Sequence, residues 1–221
     1  MGIRLGKGKP VVKGGKNTQG LEISLSKLED GGSIRLRLVG EVEPNYRYWT
    51  QCTNGKAKPI ITPFFDQETE VLSSKDPLMG VGRKEFFYTI NAIDRATSEM
   101  KILILKTGIY RSLTSFALDE EYGDPTDEKL GYDVTITKES TGPKPINVKY
   151  DLRPSPKTSP LTDSEKAMTQ HVLSEVYAAP EEAEYMEWIK INTDILNVVP
   201  DGPVAPADTP ANSSEKEDIP F

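Results

Sequence analysis

Cysteine, histidine and long apolar runs are all scarce in this chain, and each scarcity removes a class of function. Of 221 residues one is cysteine, Cys52, so no internal disulfide can form. His171 is the one histidine, which leaves no Cys/His set of four for zinc, and neither metal nor cofactor is expected. No apolar stretch approaches the roughly 18 residues that a membrane span needs. The N-terminal MGIRLGKGKPVVKGGK has no apolar core of a secretory leader, so the reading is a cytoplasmic protein with no membrane partner. Gly6 stands where a myristoylation signal wants Ser or Thr. Phosphate-cradling GxxxxGK[ST], HExxH and GxSxG are all absent, and His171 has no identifiable nucleophile beside it. The chain reads as a non-enzyme. Residues 119–129, DEEYGDPTDEK, gather acids but lack the ligand order of a calcium loop, and read as a solvated loop.

Charge, by contrast, is abundant and segregated. The net charge is -7, yet residues 163–221 hold thirteen acids against three lysines, a net -10, so residues 1–162 carry +3. The first twenty residues contain Arg4, Lys7, Lys9, Lys13 and Lys16 and no acid, and read as a flexible basic arm. A polyanion is a credible partner for the front of the chain and not for its end.

Between the two extremes the pattern is mostly period two. SIRLRLVGEV, residues 33–42, alternates apolar positions with Arg35 and Arg37. NYRYWTQC, 45–52, is a second strand entering a two-residue Asn54–Gly55 hairpin before AKPIIT. KEFFYTINAID and MKILILK pair through a polar turn at 95–98. TGIYRSLTSFALDEEYG then shifts to helical spacing, with Ile109, Leu113, Phe116 and Ala117 on one face. GYDVTITKES and INVKYDLRPS resume the alternation until Pro154, Pro156 and Pro160 close it.

The fold class is therefore mainly β with a few helices. A five-stranded Greek-key OB barrel with one inserted helix fits this order, and a small sandwich would look similar. The domains read as a basic arm at 1–20, the OB domain at 21–161, a helical segment at 162–198 and a disordered acidic tail at 199–221. Within the helical segment, Thr162 with Glu165 is a capping box for a helix from Asp163 to Tyr177, and EEAEYMEWIKINTDIL is a second helix. The Pro-, Ala- and Asp-rich end cannot bury enough apolar surface to offset its ordering entropy.

Basic residues interleave with aromatics across the barrel segment, which is what single-stranded nucleic acid selects: cations track phosphates while rings stack on bases at roughly 1–3 kcal/mol each. Arg35, Arg37, Arg47, Lys56 and Lys58 are the expected phosphate ligands, and Tyr48, Trp49 and Phe87 the expected stacking platforms. Tyr46, Phe65, Arg83, Lys84, Lys106 and Arg111 complete the candidate site. On KEFFYTINAID, Phe86, Tyr88 and Ile90 share one face; the other, with Phe87, Thr89 and Asn91, is more polar and is the expected ligand side. The bland alternative is that every ring is core and the arginines are merely solvated.

Three pieces together resemble the helix-destabilising single-stranded DNA-binding proteins of tailed bacteriophages: the strand ending in Ile93–Asp94, the Lys106-to-Ala117 strand-to-helix passage, and EYGDP…GYDVTIT…RPSP. The resemblance spans about residues 32–161. It implies an OB fold, an acidic tail, and a role coating and protecting single strands in DNA replication, recombination and repair, in the host bacterial cytoplasm if the chain is phage-encoded. The best-known members carry a zinc-binding insertion; Cys52 has no companions, so this chain resembles a shorter, zinc-free form. The terminal EDIPF is similar to the end of the bacterial single-stranded DNA-binding protein, which implies that Asp218, Ile219, Pro220 and Phe221 dock replication and repair enzymes. Phe221 can fill an apolar pocket while the acids steer toward a basic rim. Self-association on DNA is left open, as are an OB-type protein adaptor and a binder of single-stranded RNA.

Overall fold

The computed structural model describes residues 20–51, 57–80, 83–142 and 147–192. The basic arm, Cys52, the Asn54–Gly55 pair, Lys56 and the acidic end with Asp218, Ile219, Pro220 and Phe221 lie outside those residues, as does the side chain of Lys58.

The elements are, in chain order, β1 (Glu22–Ile23), a 3-10 turn (Leu25–Lys27), β2 (Ser33–Gln51), β3 (Ala57–Ile61), β4 (Phe65–Asp66), β5 (Val71–Leu72), β6 (Arg83–Asp94), β7 (Glu99–Lys106), α1 (Thr107–Ala117), β8 (Tyr132–Ser140), β9 (Val148–Thr158), α2 (Asp163–Lys166), α3 (Leu173–Val176) and α4 (Glu182–Asn192). The protein is mainly β, and its principal sheet curls into a half-barrel. Strand order in that sheet is β1-β7-β6-β2-β8-β9, with β3 beside the far half of β2, while β4 and β5 form a separate ribbon.

The two strands expected at 33–42 and 45–52 are one continuous strand. Its pairing with β6 shifts between Val39 and Glu43, and Gly40 there takes φ +81°. That angle favours glycine, and a Cβ would also sit 2.8 Å from the Gln170 side-chain oxygen. The bulge lets one strand serve two neighbours, β8 along Ser33–Arg37 and β3 along Arg47–Gln51. The β2–β3 ladder runs from Arg47–Ile61 to Gln51–Ala57, and the expected Asn54–Gly55 turn lies outside the described residues.

Leu36, Leu38, Ile90, Leu103, Leu105, Val134 and Ile136 are fully buried inside the curl, capped by Ile109 and Leu113 of α1. The helix ends at Ala117 rather than reaching Gly123. Beyond it Asp119, Asp124 and Asp127 turn their carboxylates onto backbone N–H groups two or three residues ahead, which gives the chain an alternative to helix. Among the described residues no three His, Cys, Asp or Glu side chains gather as a metal set, and no helix is long and apolar enough to cross a membrane.

The expected Asp163–Tyr177 helix is broken into two single turns. The Thr162–Glu165 capping box forms, but Asn91 exchanges two 3.0 Å hydrogen bonds with the backbone of His171 and holds that stretch extended. This tertiary pairing overrides local helical preference. Leu173, Val176 and Tyr177 then pack over Phe87 and Ile102, covering the outer face of β6 and β7. Farther on, Tyr185 and Ile189 of α4 close a second core with Tyr46, Tyr48, Ile60 and Leu78. Both C-terminal pieces are thus packed on the sheet.

Candidate functional site

Among the open grooves of the described residues, charge decides between two. The larger, about 510 Å³, is lined by Glu41, Glu43, Glu68 and Glu70 with Tyr88 and Tyr110. Burial and the neighbouring Glu41 both raise the pKa of Glu43, and its Oε2 has no hydrogen-bond partner among the described residues. Such a wall repels a phosphate backbone. The smaller, about 280 Å³, lies between β1, the end of β7, the start of α1 and β9, and it contains Arg47, Arg83, Lys106, Trp49 and Tyr150 against Glu22 and Glu85.

Strand geometry assembles this second site. Arg47 and Trp49 are two residues apart on β2 and therefore share a face. Across the ladder Arg47 faces Glu85 and Trp49 faces Arg83, while Lys106 of β7 faces Phe87. Directly opposed side chains on one face interact, and here they interlock. Arg47 Nε donates to Glu85 Oε2 at 2.8 Å, and Trp49 Nε1 donates to the same oxygen at 2.6 Å. The Arg47 guanidinium lies 4.3 Å from the Phe87 ring centroid and 5.2 Å from that of Trp49, and Arg83 sits 5.6 Å from the Trp49 ring. Burial pushes the Glu85 carboxyl up, but the hydrogen bonds from Arg47 and Trp49 outweigh it and hold it below its ordinary range. Arg83 and Lys106 are exposed and, among the described residues, form no ion pair. The groove thus offers two exposed cations, one paired cation and two partly exposed rings.

Of the residues expected from sequence, Arg47, Trp49, Arg83 and Lys106 meet in the groove. Several others do not. Arg37 is fully buried, and its guanidinium donates to the backbone carbonyls of Leu38, Pro125, Asp127 and Ser159. Burial lowers its pKa, opposed by Asp133. It is a staple for the 118–130 loop, and its place in the phosphate set is corrected. Replacing it by methionine leaves those carbonyls without their donor, and is expected to cost about 2–3 kcal/mol in urea unfolding. A cost below about 0.5 kcal/mol would refute the staple role.

Tyr46, Tyr48 and Phe87 are likewise buried, so Tyr48 and Phe87 are corrected as stacking platforms and Tyr46 as a member of the candidate site. The two tyrosines point to the opposite face from Trp49 and lie in the α4 core, with Phe65 packed against it. Phe87 does lie on the face expected to meet ligand, but Tyr177 crosses it edge to face at 5.8 Å. Arg35 is exposed and paired to Asp133 at 2.8 Å, and Lys84 and Arg111 are exposed; none of the three lines the groove. Tyr150 and Glu85 escaped the sequence reading. For Tyr150 a signal existed: Val148, Tyr150 and Leu152 alternate in INVKYDLRPS, which puts the ring on the inward side.

No protein-family model matches the chain, and no curated protein matches it.

Proposed function

We propose that the protein binds single-stranded DNA with little sequence preference in the Arg47–Trp49–Arg83–Lys106 groove of an OB-type barrel. In this reading it is a phage-type coating protein for replication, recombination and repair, and the acidic end recruits partner enzymes. The observation that carries the reading is the convergence of three cations and two half-buried aromatic rings, Trp49 and Tyr150, on one open groove. Cations for phosphates and rings for bases are the two things a sequence-tolerant single-strand site needs. What supports the OB part is the order β7-β6-β2-β8-β9 of the five long strands, third-second-first-fourth-fifth in chain sequence, with α1 between the third and fourth. A partly open five-stranded Greek-key barrel has this arrangement, and oligonucleotides commonly bind on its face.

The test is a titration of the full chain with fluorescent oligo-dT of about thirty nucleotides, a length that spans more than one OB-sized site. The expected result is saturable binding that quenches tryptophan emission. On a double-logarithmic plot against salt, affinity should fall with a slope of about -2 or steeper, about 0.7 for each phosphate neutralised by the three groove cations. Trp49→Ala should abolish most of the quench and weaken binding about tenfold, the equivalent of one stacked base. A flat salt response would overturn the groove model, and an absence of binding would favour a protein-docking role for the barrel.

A further inference from the structure

Glu85 is an odd residue to find in the middle of a site for a polyanion. It stands between the two half-buried groups that a single strand most needs, and one oxygen, Oε2, holds both of them: Arg47 Nε at 2.8 Å and Trp49 Nε1 at 2.6 Å. The ion pair is largely shielded, with side-chain exposures of 15% for Arg47 and 21% for Glu85. A guanidinium paired in this way, on the face of Phe87, has no charge to spare for an incoming phosphate. The indole edge tied to the same oxygen cannot rotate freely to meet a base. Glu22, the other acid of the groove, differs: it accepts a hydrogen bond from the Tyr177 hydroxyl at 2.8 Å and makes no ion pair with Arg47.

We propose that Glu85 is an internal stand-in for a DNA phosphate, a carboxylate latch that closes the groove until a single strand displaces it. The proposal rests on the single-strand-binding reading above. On binding, a backbone phosphate takes the place of the carboxylate on Arg47, because both are anions that accept from the same guanidinium donors. Freed of its acceptor, the Trp49 indole turns its face to a base. Arg83 and Lys106, which are exposed and have no such partner among the described residues, make the first contact, and Arg47 joins only after the latch opens. The latch would select against ligands too weakly charged to compete with a carboxylate, such as an isolated base or a neutral peptide, and in favour of a continuous phosphodiester chain.

A double-mutant cycle tests this with oligo-dT as the probe. Glu85→Gln keeps the shape, and its amide oxygen can still accept from Trp49 Nε1, so the fold should be undisturbed. Because one competing anion is gone, it should bind about tenfold tighter than wild type, the equivalent of one hydrogen-bonded charge pair no longer broken. In an Arg47→Met background the same change should tighten binding no more than about twofold, matching the effect of Glu22→Gln, since only long-range repulsion is then relieved. Equal tightening in both backgrounds would overturn the latch, and so would weaker binding by Glu85→Gln, which would make Glu85 a fixed support for Trp49. Wild type that binds while Glu85→Gln shows no gain overturns the latch alone. No binding by wild type or either variant overturns the reading it rests on.

Discussion

Reversing two charges together, Arg83→Glu with Lys106→Glu, is expected to weaken oligo-dT binding roughly a thousandfold at low salt. The size follows from four changes at once, because two groove cations are removed and two carboxylates that would repel a phosphate backbone take their place. Folding should hardly notice, because both side chains are exposed and, among the described residues, neither is held in an ion pair. The matching control is Lys84→Glu with Arg111→Glu. Those residues are also exposed and cationic, and they alter the net charge by the same amount, but they do not line the groove. Binding by the control should stay within about fivefold of wild type at moderate salt, since neither side chain lines the groove and salt screens exposed charges. Equal losses for the two pairs would mean that the protein attracts DNA by overall charge and that the groove has no special standing. The measurement is fluorescence anisotropy at two salt concentrations, where the groove variant should also show a shallower salt slope.

Removing α4 should have the largest effect on stability. Deletion of residues 181–221 is expected to lower unfolding free energy by at least about 4 kcal/mol relative to deletion of residues 193–221, with the comparison made by urea denaturation. Tyr185 and Ile189 are both fully buried, and truncating one large core side chain typically costs about 2–5 kcal/mol. Tyr185 adds a polar tie, its hydroxyl donating at 3.1 Å to Asp76 Oδ1, and Asp76 also accepts from Thr62 Oγ1 and the Leu78 N–H. Without the helix, Tyr48 and Leu78 lose their cover, and the segment between β3 and β6 loses its anchor. On the proposed single-strand reading, the shorter deletion should also bind oligo-dT more tightly than the full chain, because the removed residues carry six acids against one lysine. If the two deletions unfold at the same urea concentration, α4 contributes nothing and the second core is not the cohesive unit its burial indicates.

The strands were legible because alternation is a local property: a residue two places on points the same way whatever the rest of the chain does. β6, β7, β8 and β9 lie where KEFFYTINAID, MKILILK, GYDVTITKES and INVKYDLRPS place them, within a few residues. The face division on β6 was legible for the same reason, and Tyr88 and Ile90 enter the core inside the curled sheet. What covers the other face was not. Phe87 looked available because its neighbours Thr89 and Asn91 are polar, yet Asn91 is polar in order to hold the backbone of His171, eighty residues on, and bring Tyr177 down over the ring.

Arginine is the sharpest case. Arg35, Arg37 and Arg47 look alike in the sequence, each an alternating cation on a strand. Their fates diverge because of groups distant in the chain: Asp133 for Arg35, the carbonyls of 125, 127 and 159 for Arg37, and Glu85 for Arg47. By itself the amino-acid order determined the β-rich class, the segregation of charge, the strand set and the kind of chemistry that basic and aromatic residues offer. Tertiary structure alone decided which cations reach solvent and which rings are covered. Local periodicity assigns a side chain to a face, but the desolvation and the partners that set its role come from segments folded against that face.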